Sequence, residues 1–298
     1  MTVTLTCHEF ARPEDPSALP WNNICPQIRI MRAEAPMHKT FGLDYIFEPL
    51  TASLLRAYWV ERYEREAGKN WELFYRRNRD RFFKDRHYLQ AEWADELAPD
   101  GGGVRVLLEA GCGVGNTLFP LLRAMPALLA ALAALASKAG RVVAAVGDLT
   151  EGSLPPELSG CAADVATLMF VLSAIAPSKF GAALRAVRSG LRPGGAVLLR
   201  DYGAGDGACA RMEAGREAKR LDASAPWLVR QDGTRAYFFS VEALRELFER
   251  EGFETLECAY AHRTTANRAT GATLSRTFVT ARFRRPASDA LDAEFSAP

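Results

Sequence analysis

The 298-residue chain carries 37 lysine and arginine residues against 36 aspartate and glutamate residues, a net charge of +1, and 48% of it is apolar. That length accommodates one large α/β domain or one domain with an extension, and the near-neutral balance excludes a uniformly basic surface, so nucleic-acid binding would have to rest on a local patch. Cys7, Cys25, Cys112, Cys161, Cys209 and Cys258 are scattered without metal-type pairing, which points to a reducing compartment and to no zinc or other metal site.

Up to about residue 50 no apolar period is sustained, and Pro13, Pro16, Pro20, Pro26, Pro36 and Pro49 interrupt the segment, so an irregular arm is predicted there. Early polar and acidic residues (His8, Glu9, Glu14, Asp15) do not follow the pattern of a secretory leader, and the cytoplasm, or also the nucleus, is the expected location. From Thr51, read as a cap, Leu55, Tyr58, Trp59 and Tyr63 recur at helical spacing, with Gly68 as the stop. A second helix is predicted from about Asn70. On it Trp71, Phe74 and Tyr75 share a face, which suits packing on the main domain as well as contact with a ligand. The run from Arg76 to His87 then mixes cations with Phe82 and Phe83. Phosphate contacts combined with base stacking would account for it, as would a solvated helix face on which Asp80 and Asp85 pair internally.

Beyond Gly101-Gly102-Gly103 strands and helices alternate. Strands are predicted at Val104 to Leu108, Arg141 to Val146, Asp164 to Leu172 and Ala196 to Leu199, and helices at Leu118 to Ser137 and Ser178 to Gly190. Arg192-Pro193-Gly194-Gly195 reads as a tight turn, Ser240 as the cap of a helix ending at Gly252, and two closing strands lie near Leu256 to Ala261 and Leu274 to Phe283. The apolar stretch Pro126 to Ala136 is too short to span a bilayer, so no membrane segment is expected. The alternation implies a doubly wound, mostly parallel sheet, with ligands at the carboxyl ends of the strands, where Gly111, Asp148, Met169 and Asp201 would project.

Between the first strand and the helix after it stands Glu109-Ala110-Gly111-Cys112-Gly113-Val114-Gly115-Asn116-Thr117. Glycines at alternate positions let the backbone bend sharply and approach a ligand, and the helix start offers unpaired amides. The last glycine of the dinucleotide fingerprint is missing and Glu109 precedes the glycines, which suggests S-adenosyl-L-methionine rather than NAD.

Six words occur in order between about Glu61 and Pro286: Trp71-Glu72-Leu73-Phe74-Tyr75, Phe82-Phe83-Lys84-Asp85-Arg86-His87, Glu109 to Asn116, Phe170-Val171-Leu172-Ser173-Ala174, Arg200-Asp201-Tyr202-Gly203 and Val229-Arg230-Gln231-Asp232-Gly233-Thr234-Arg235. Together they resemble the methyltransferase-like tRNA 3-methylcytidine methyltransferases, and Glu64 to Asn78 is most similar to the branch acting on serine tRNAs. The resemblance implies a Rossmann-like class I S-adenosylmethionine-dependent methyltransferase fold with an N-terminal helical extension. Its divisions would be an arm over 1–50, the extension over 51–98, the methyltransferase domain over 99–286 and a flexible tail over 287–298. It implies 3-methylcytidine formation in the anticodon loop of tRNA, with seryl-tRNA synthetase as a partner of the serine branch. Residue by residue, it places Trp71 and Tyr75 against the cofactor, Gly111 and Gly113 beside its methionyl part, Asp148 and Leu149 near the adenine, and Met169 beneath it.

One departure stands out. The fold places an acid at the end of the second strand on the ribose hydroxyls, yet no Asp or Glu occurs between Asn116 and Gly147, and Asp148 lies well past the spacing of about 20 residues for a ribose acid. The second-strand region reads as shortened and replaced by an Ala/Leu-rich helix. Either cofactor affinity is weakened, or another group takes over, or the sequence has lost a piece, and the competing reading is a catalytically silent RNA-binding protein that has lost the ribose-binding strand.

Methyl transfer from a sulfonium proceeds by in-line attack, so catalysis is positioning and exclusion of water, with no metal required. Ring nitrogen 3 of cytosine already holds an in-plane lone pair, and a nearby carboxylate favours the cationic product; Asp201 is the candidate. That nitrogen lies on the pairing edge, so the base must be unpaired or flipped out. With the resemblance, Arg86 and His87 are read as RNA contacts and Phe83 or Phe82 as stacking on the base or lining its pocket. Arg230, Gln231, Asp232 and Arg235 form a second polar cluster, for RNA or for bracing the loop over the pocket.

Overall fold

The computed structural model describes residues 2–4, 56–98, 105–124, 143, 145–215, 219–266 and 273–287. In chain order its strands are β1 (Thr2–Thr4), β2 (Leu107–Ala110), β3 (Val146–Asp148), β4 (Ala163–Met169), β5 (Leu191–Tyr202), β6 (Lys219–Arg220), β7 (Trp227–Val229), β8 (Arg235–Tyr237), β9 (Glu254–Ala266) and β10 (Thr273–Arg284). The helices are α1 (56–65), α2 (Ala67–Asn78), α3 (Leu89–Glu92), α4 (Ala94–Leu97), α5 (Leu118–Ala124), α6 (Phe180–Gly190), α7 (Gly207–Ala214) and α8 (Val241–Arg250).

The central sheet has the order β2-β4-β5-β10-β9. β2, β4 and β5 pair in parallel, β10 runs against both β5 and β9, and β9 therefore points the same way as the first three. β4 is buried along nearly its whole length, as a strand covered on both faces must be. One face carries the main core, including Leu108, Ala166, Leu168, Leu184, Val197, Leu199, Leu244 and Phe283; the other packs Val165, Met169 and Leu198 on Leu89, Trp93, Leu97 and Leu121. In the main core Phe248 and Phe283 stack with centroids 3.7 Å apart and planes 7° from parallel, neither ring reaching solvent. Phe248→Ala is expected to cost about 3–5 kcal/mol, read as a lowered denaturant midpoint at unchanged slope.

The predicted alternation of elements is present, with shifted bounds. β2 extends to Ala110, β4 stops at Met169 because Leu172–Ala174 turns as a 3-10 segment, and β5 begins at Leu191, so the expected turn at 192–195 lies inside the strand with Gly194 at φ 77°. β3 is Val146–Asp148, where Arg141 to Val146 was expected. Ser240 caps α8, its Oγ accepting the Ala243 amide at 3.1 Å, and Gly252 follows at φ 80°. Gly68 does not end a helix, and the helix expected from about Asn70 begins three residues earlier. α2 starts at Ala67 and passes through both, because Tyr63, Ala67, Asn70 and Phe74 form one buried stripe at helical spacing across an exposed Gly68.

Within the predicted arm, Thr2–Thr4 form a strand antiparallel to β3. The rest of the arm, the Thr51 cap, the tail beyond 287 and most of the second-strand region lie outside the described residues. No described helix is long and apolar enough to cross a membrane.

Candidate active site

β2 delivers the chain into a turn whose glycines are required by torsion and by space. Gly111, Gly113 and Gly115 have φ of 69°, 56° and 80°, in the left-handed region that side chains disfavour. A Cβ at Gly111 would lie 2.7 Å from Val171 Cγ2, and one at Gly113 would run into the Tyr75 hydroxyl. The turn is thus roofed by α2 on one side and by the segment after β4 on the other.

Glu109, just before the turn, is 4% exposed, and its Oε2 has no hydrogen-bond partner among the described residues. Burial pushes its carboxyl up to about 7, against the Arg86 guanidinium, the Thr117 hydroxyl and the Leu118 amide, which pull it down. A covered carboxylate oxygen without a donor, beside glycines that leave the backbone bare, suits a cation such as the ammonium of S-adenosylmethionine. The residues present therefore fit that cofactor. The sequence marked Glu109 only as a sign of cofactor type; its position directly before the glycines was the signal for a role.

α2 brings Tyr75 against this turn, with the Trp71 ring centroid 6.0 Å from that of Tyr75. Burial raises the Tyr75 phenol to about 12, opposed by Arg86. Phe74 anchors the helix against Phe82 and Phe83, and Asn70 Nδ2 donates to the Gly233 carbonyl at 3.1 Å. On the far side of the turn, Gly147 and Leu149 line a small cavity with Glu109 and Ala110. Leu149 is buried, and Asp148 Oδ1 accepts the Thr150 amide at 2.9 Å. Partial burial pushes the Asp148 carboxyl up, but the Thr150 amide and hydroxyl outweigh it and hold it below the usual aspartate range.

Gly111, Asp148, Met169 and Asp201 all fall at or next to the carboxyl ends of their strands. Met169 packs its side chain among Leu89, Trp93 and Leu121. The next residue, Phe170, has φ 62° and its ring lies near Arg86, Tyr202 and Phe278. A bulky residue with positive φ stores strain of about 1–3 kcal/mol, which functional sites commonly hold. Asp201 is wholly covered: Oδ2 accepts the Ser173 amide at 3.0 Å and Oδ1 its neighbour Tyr202 at 2.9 Å. Burial pushes it up to about 6, against those Ser173 and Tyr202 bonds and the Arg230 charge.

The segment after α2 is fastened to the turn. Arg86 Nη1 donates to Thr117 Oγ1 at 2.7 Å, and Asn116 Nδ2 donates to the Phe83 carbonyl and to Asp85 Oδ1. Arg86 is half-buried and its guanidinium lies 5.5 Å from the Phe170 ring, whereas His87 is exposed. Arg76, Arg77, Arg79, Arg81 and Lys84 are exposed as well, and Phe82 is 59% exposed. In the second polar cluster, Arg235 is buried and paired with Glu64, which also meets Lys179 at 2.6 Å; Asp232 accepts the Thr234 amide at 2.9 Å, and Arg230 donates to the Arg235 carbonyl at 2.8 Å. These contacts are of the bracing kind, and Gln231 is the exposed member.

Residues 75–258 match the family model described as methyltransferase domain. The tRNA N(3)-cytidine methyltransferase METTL6 of Mus musculus is 39% identical over 251 residues, covering 80% of this chain and 87% of the relative. The Homo sapiens protein of that name is 37% identical over 240 residues, covering 76% and 83%. A tRNA N(3)-methylcytidine methyltransferase of Schizosaccharomyces pombe is 35% identical over 239 residues, covering 76% and 96%.

Proposed function

Because the chain belongs to the tRNA N(3)-cytidine methyltransferases, we propose that it uses S-adenosylmethionine to form 3-methylcytidine in the anticodon loop of a tRNA. The observation that carries the reading is the junction of two surfaces: the glycine turn with its covered carboxylate, and the exposed cationic and aromatic loop bonded to it through Arg86 and Thr117. A bound cofactor supplies an electrophilic methyl group on sulfur. Glu109, Gly111 and Gly113 would hold its methionyl end, Asp148 and Leu149 its adenine end, and Trp71 and Tyr75 would cover it and exclude water. Phe82 or Phe83 would stack a flipped cytosine, with Arg86 and His87 on the neighbouring phosphates. Serine tRNAs are the substrates on this reading, seryl-tRNA synthetase the partner and the cytoplasm, with the nucleus, the location.

The test is nucleoside analysis of an unmodified serine tRNA transcript after incubation with the purified chain and cofactor, with and without seryl-tRNA synthetase. Appearance of 3-methylcytidine is the expected result, and tRNA binding with neither cofactor binding nor methylation would favour the silent RNA binder. The exposed cations give a second expectation. Affinity for tRNA falls about a hundredfold between 50 and 200 mM salt, and replacing Arg77, Arg79 and Arg81 by Gln flattens that slope in a filter-binding series.

A further inference from the structure

Asn116 closes the glycine turn at 3% exposure. Its side-chain amide spends both hydrogens on the segment that follows α2: Nδ2 donates to the Phe83 carbonyl at 3.1 Å and to Asp85 Oδ1 at 3.0 Å. Its main-chain carbonyl accepts the Arg86 amide at 2.8 Å, and the next residue, Thr117, accepts from the Arg86 guanidinium at 2.7 Å. Two consecutive residues of the cofactor turn thus hold Phe83, Asp85 and Arg86 of the RNA-facing loop. An amide is the group this arrangement needs: a carboxylate could not donate to a carbonyl, and a hydroxyl offers one hydrogen.

We propose that Asn116 is a positioning residue that joins the cofactor turn to the RNA-facing loop, so that cofactor and tRNA each tighten the binding of the other. The proposal rests on the function given above. Ordering a loop costs conformational entropy, and a turn already fixed by one ligand lowers that cost for the second. Linkage makes the effect reciprocal. Asn116 reaches neither ligand on this account, since its side chain is committed to the loop and Gly111 and Gly113 present the cofactor face.

The experiment is calorimetric titration of the full chain with S-adenosylhomocysteine, alone and with saturating unmodified serine tRNA, followed by kcat and KM for tRNA. In the wild-type chain tRNA is expected to tighten S-adenosylhomocysteine about tenfold, within the usual range of coupling between sites. Asn116→Ala is expected to bind S-adenosylhomocysteine alone within about threefold of wild type, to lose the tightening, and to raise KM for tRNA about tenfold. Asn116→Asp sets a second carboxylate against Asp85 and is expected to raise KM further. Combining Asn116→Asp with Asp85→Asn restores one donor-acceptor pair and recovers part of that loss, which a general folding defect would not do. Equal wild-type affinity with and without tRNA overturns the proposal, as does an Asn116→Ala chain that loses cofactor affinity alone while KM for tRNA stays unchanged. A wild-type chain that transfers no methyl group even with seryl-tRNA synthetase present overturns the functional reading itself; methyl transfer without coupling overturns only the role of Asn116.

Discussion

Between pH 8 and pH 6 the affinity of the chain for S-adenosylmethionine is expected to fall about tenfold, and Glu109→Gln is expected to remove that dependence while weakening binding about 10- to 100-fold at pH 8. Glu109 is covered, one oxygen has no donor among the described residues, and burial has carried its carboxyl up to about 7. Arg86, Thr117 and Leu118 are the groups that pull it back toward ionisation, and Tyr75 stands close enough to feel its charge. An ammonium placed against the bare oxygen favours the carboxylate, so binding below pH 7 releases a proton and is weakened by the cost of that release. At pH 6, about one unit below its pKa, the protonated form outnumbers the carboxylate by about ten to one, which sets the size of the effect. Without cofactor the sign runs the other way for stability. The raised carboxyl favours the folded state below about 4.5, its unperturbed range, and that advantage, about 3 kcal/mol, is lost as pH rises through about 7. Titrations at pH 6, 7 and 8 in buffers of different ionisation enthalpy read the proton directly. A flat affinity profile in the wild-type chain would mean that the ammonium sits elsewhere.

Asp201→Asn is expected to lower kcat about a hundredfold and to destabilise the fold by about 1–3 kcal/mol. The carboxylate accepts the Ser173 and Tyr202 amides with no exposure to water. An asparagine keeps one acceptor and turns an N–H toward the other amide, leaving a buried donor unsatisfied. Ser173 lies in the turn after β4, close behind the strained Phe170, and a shift of about 1 Å in such a positioned loop can cost two orders of magnitude in rate. The pH dependence separates this from simple damage. Burial raises Asp201 to about 6, so its contribution to stability is greatest below its ordinary range near 3.8 and is lost as pH rises through about 6. The deficit of the asparagine variant is therefore expected to be about 1 kcal/mol larger at pH 5 than at pH 7.5 in denaturant titrations. An equal deficit at both values would show that Asp201 titrates normally.

The architecture was legible because its elements have distinct periods and punctuation. Ser240 and Gly252 bracket α8 as local chemistry dictates, and the four residues named from the sequence fall at or beside the carboxyl ends of β2, β3, β4 and β5. Gly68 misled because propensity is a weak local cost, outweighed by a buried stripe that continues from Tyr63 to Phe74. The partners of the candidate site residues were not legible in the sequence. Asn116 meets Phe83 and Asp85 across 33 and 31 positions, a relation no spacing rule encodes. Asp201 read as an acid free to face a ligand, because nothing in the word Arg200-Asp201-Tyr202-Gly203 tells that two amides cover it. The second-strand region keeps its sequence-based expectation, since it lies outside the described residues.

The place of β10 between β5 and β9 bears on how the chain is made. A ribosome completes β9 before β10, yet β9 has no place in the sheet until β10 has paired with β5. Through that interval the backbone N–H and C=O groups of β5 that β10 will pair stand as an open edge. Translation halted before Thr273 would release a protein with its glycine turn already made and its sheet open to any passing strand, a product suited to aggregation and to early capture by chaperones.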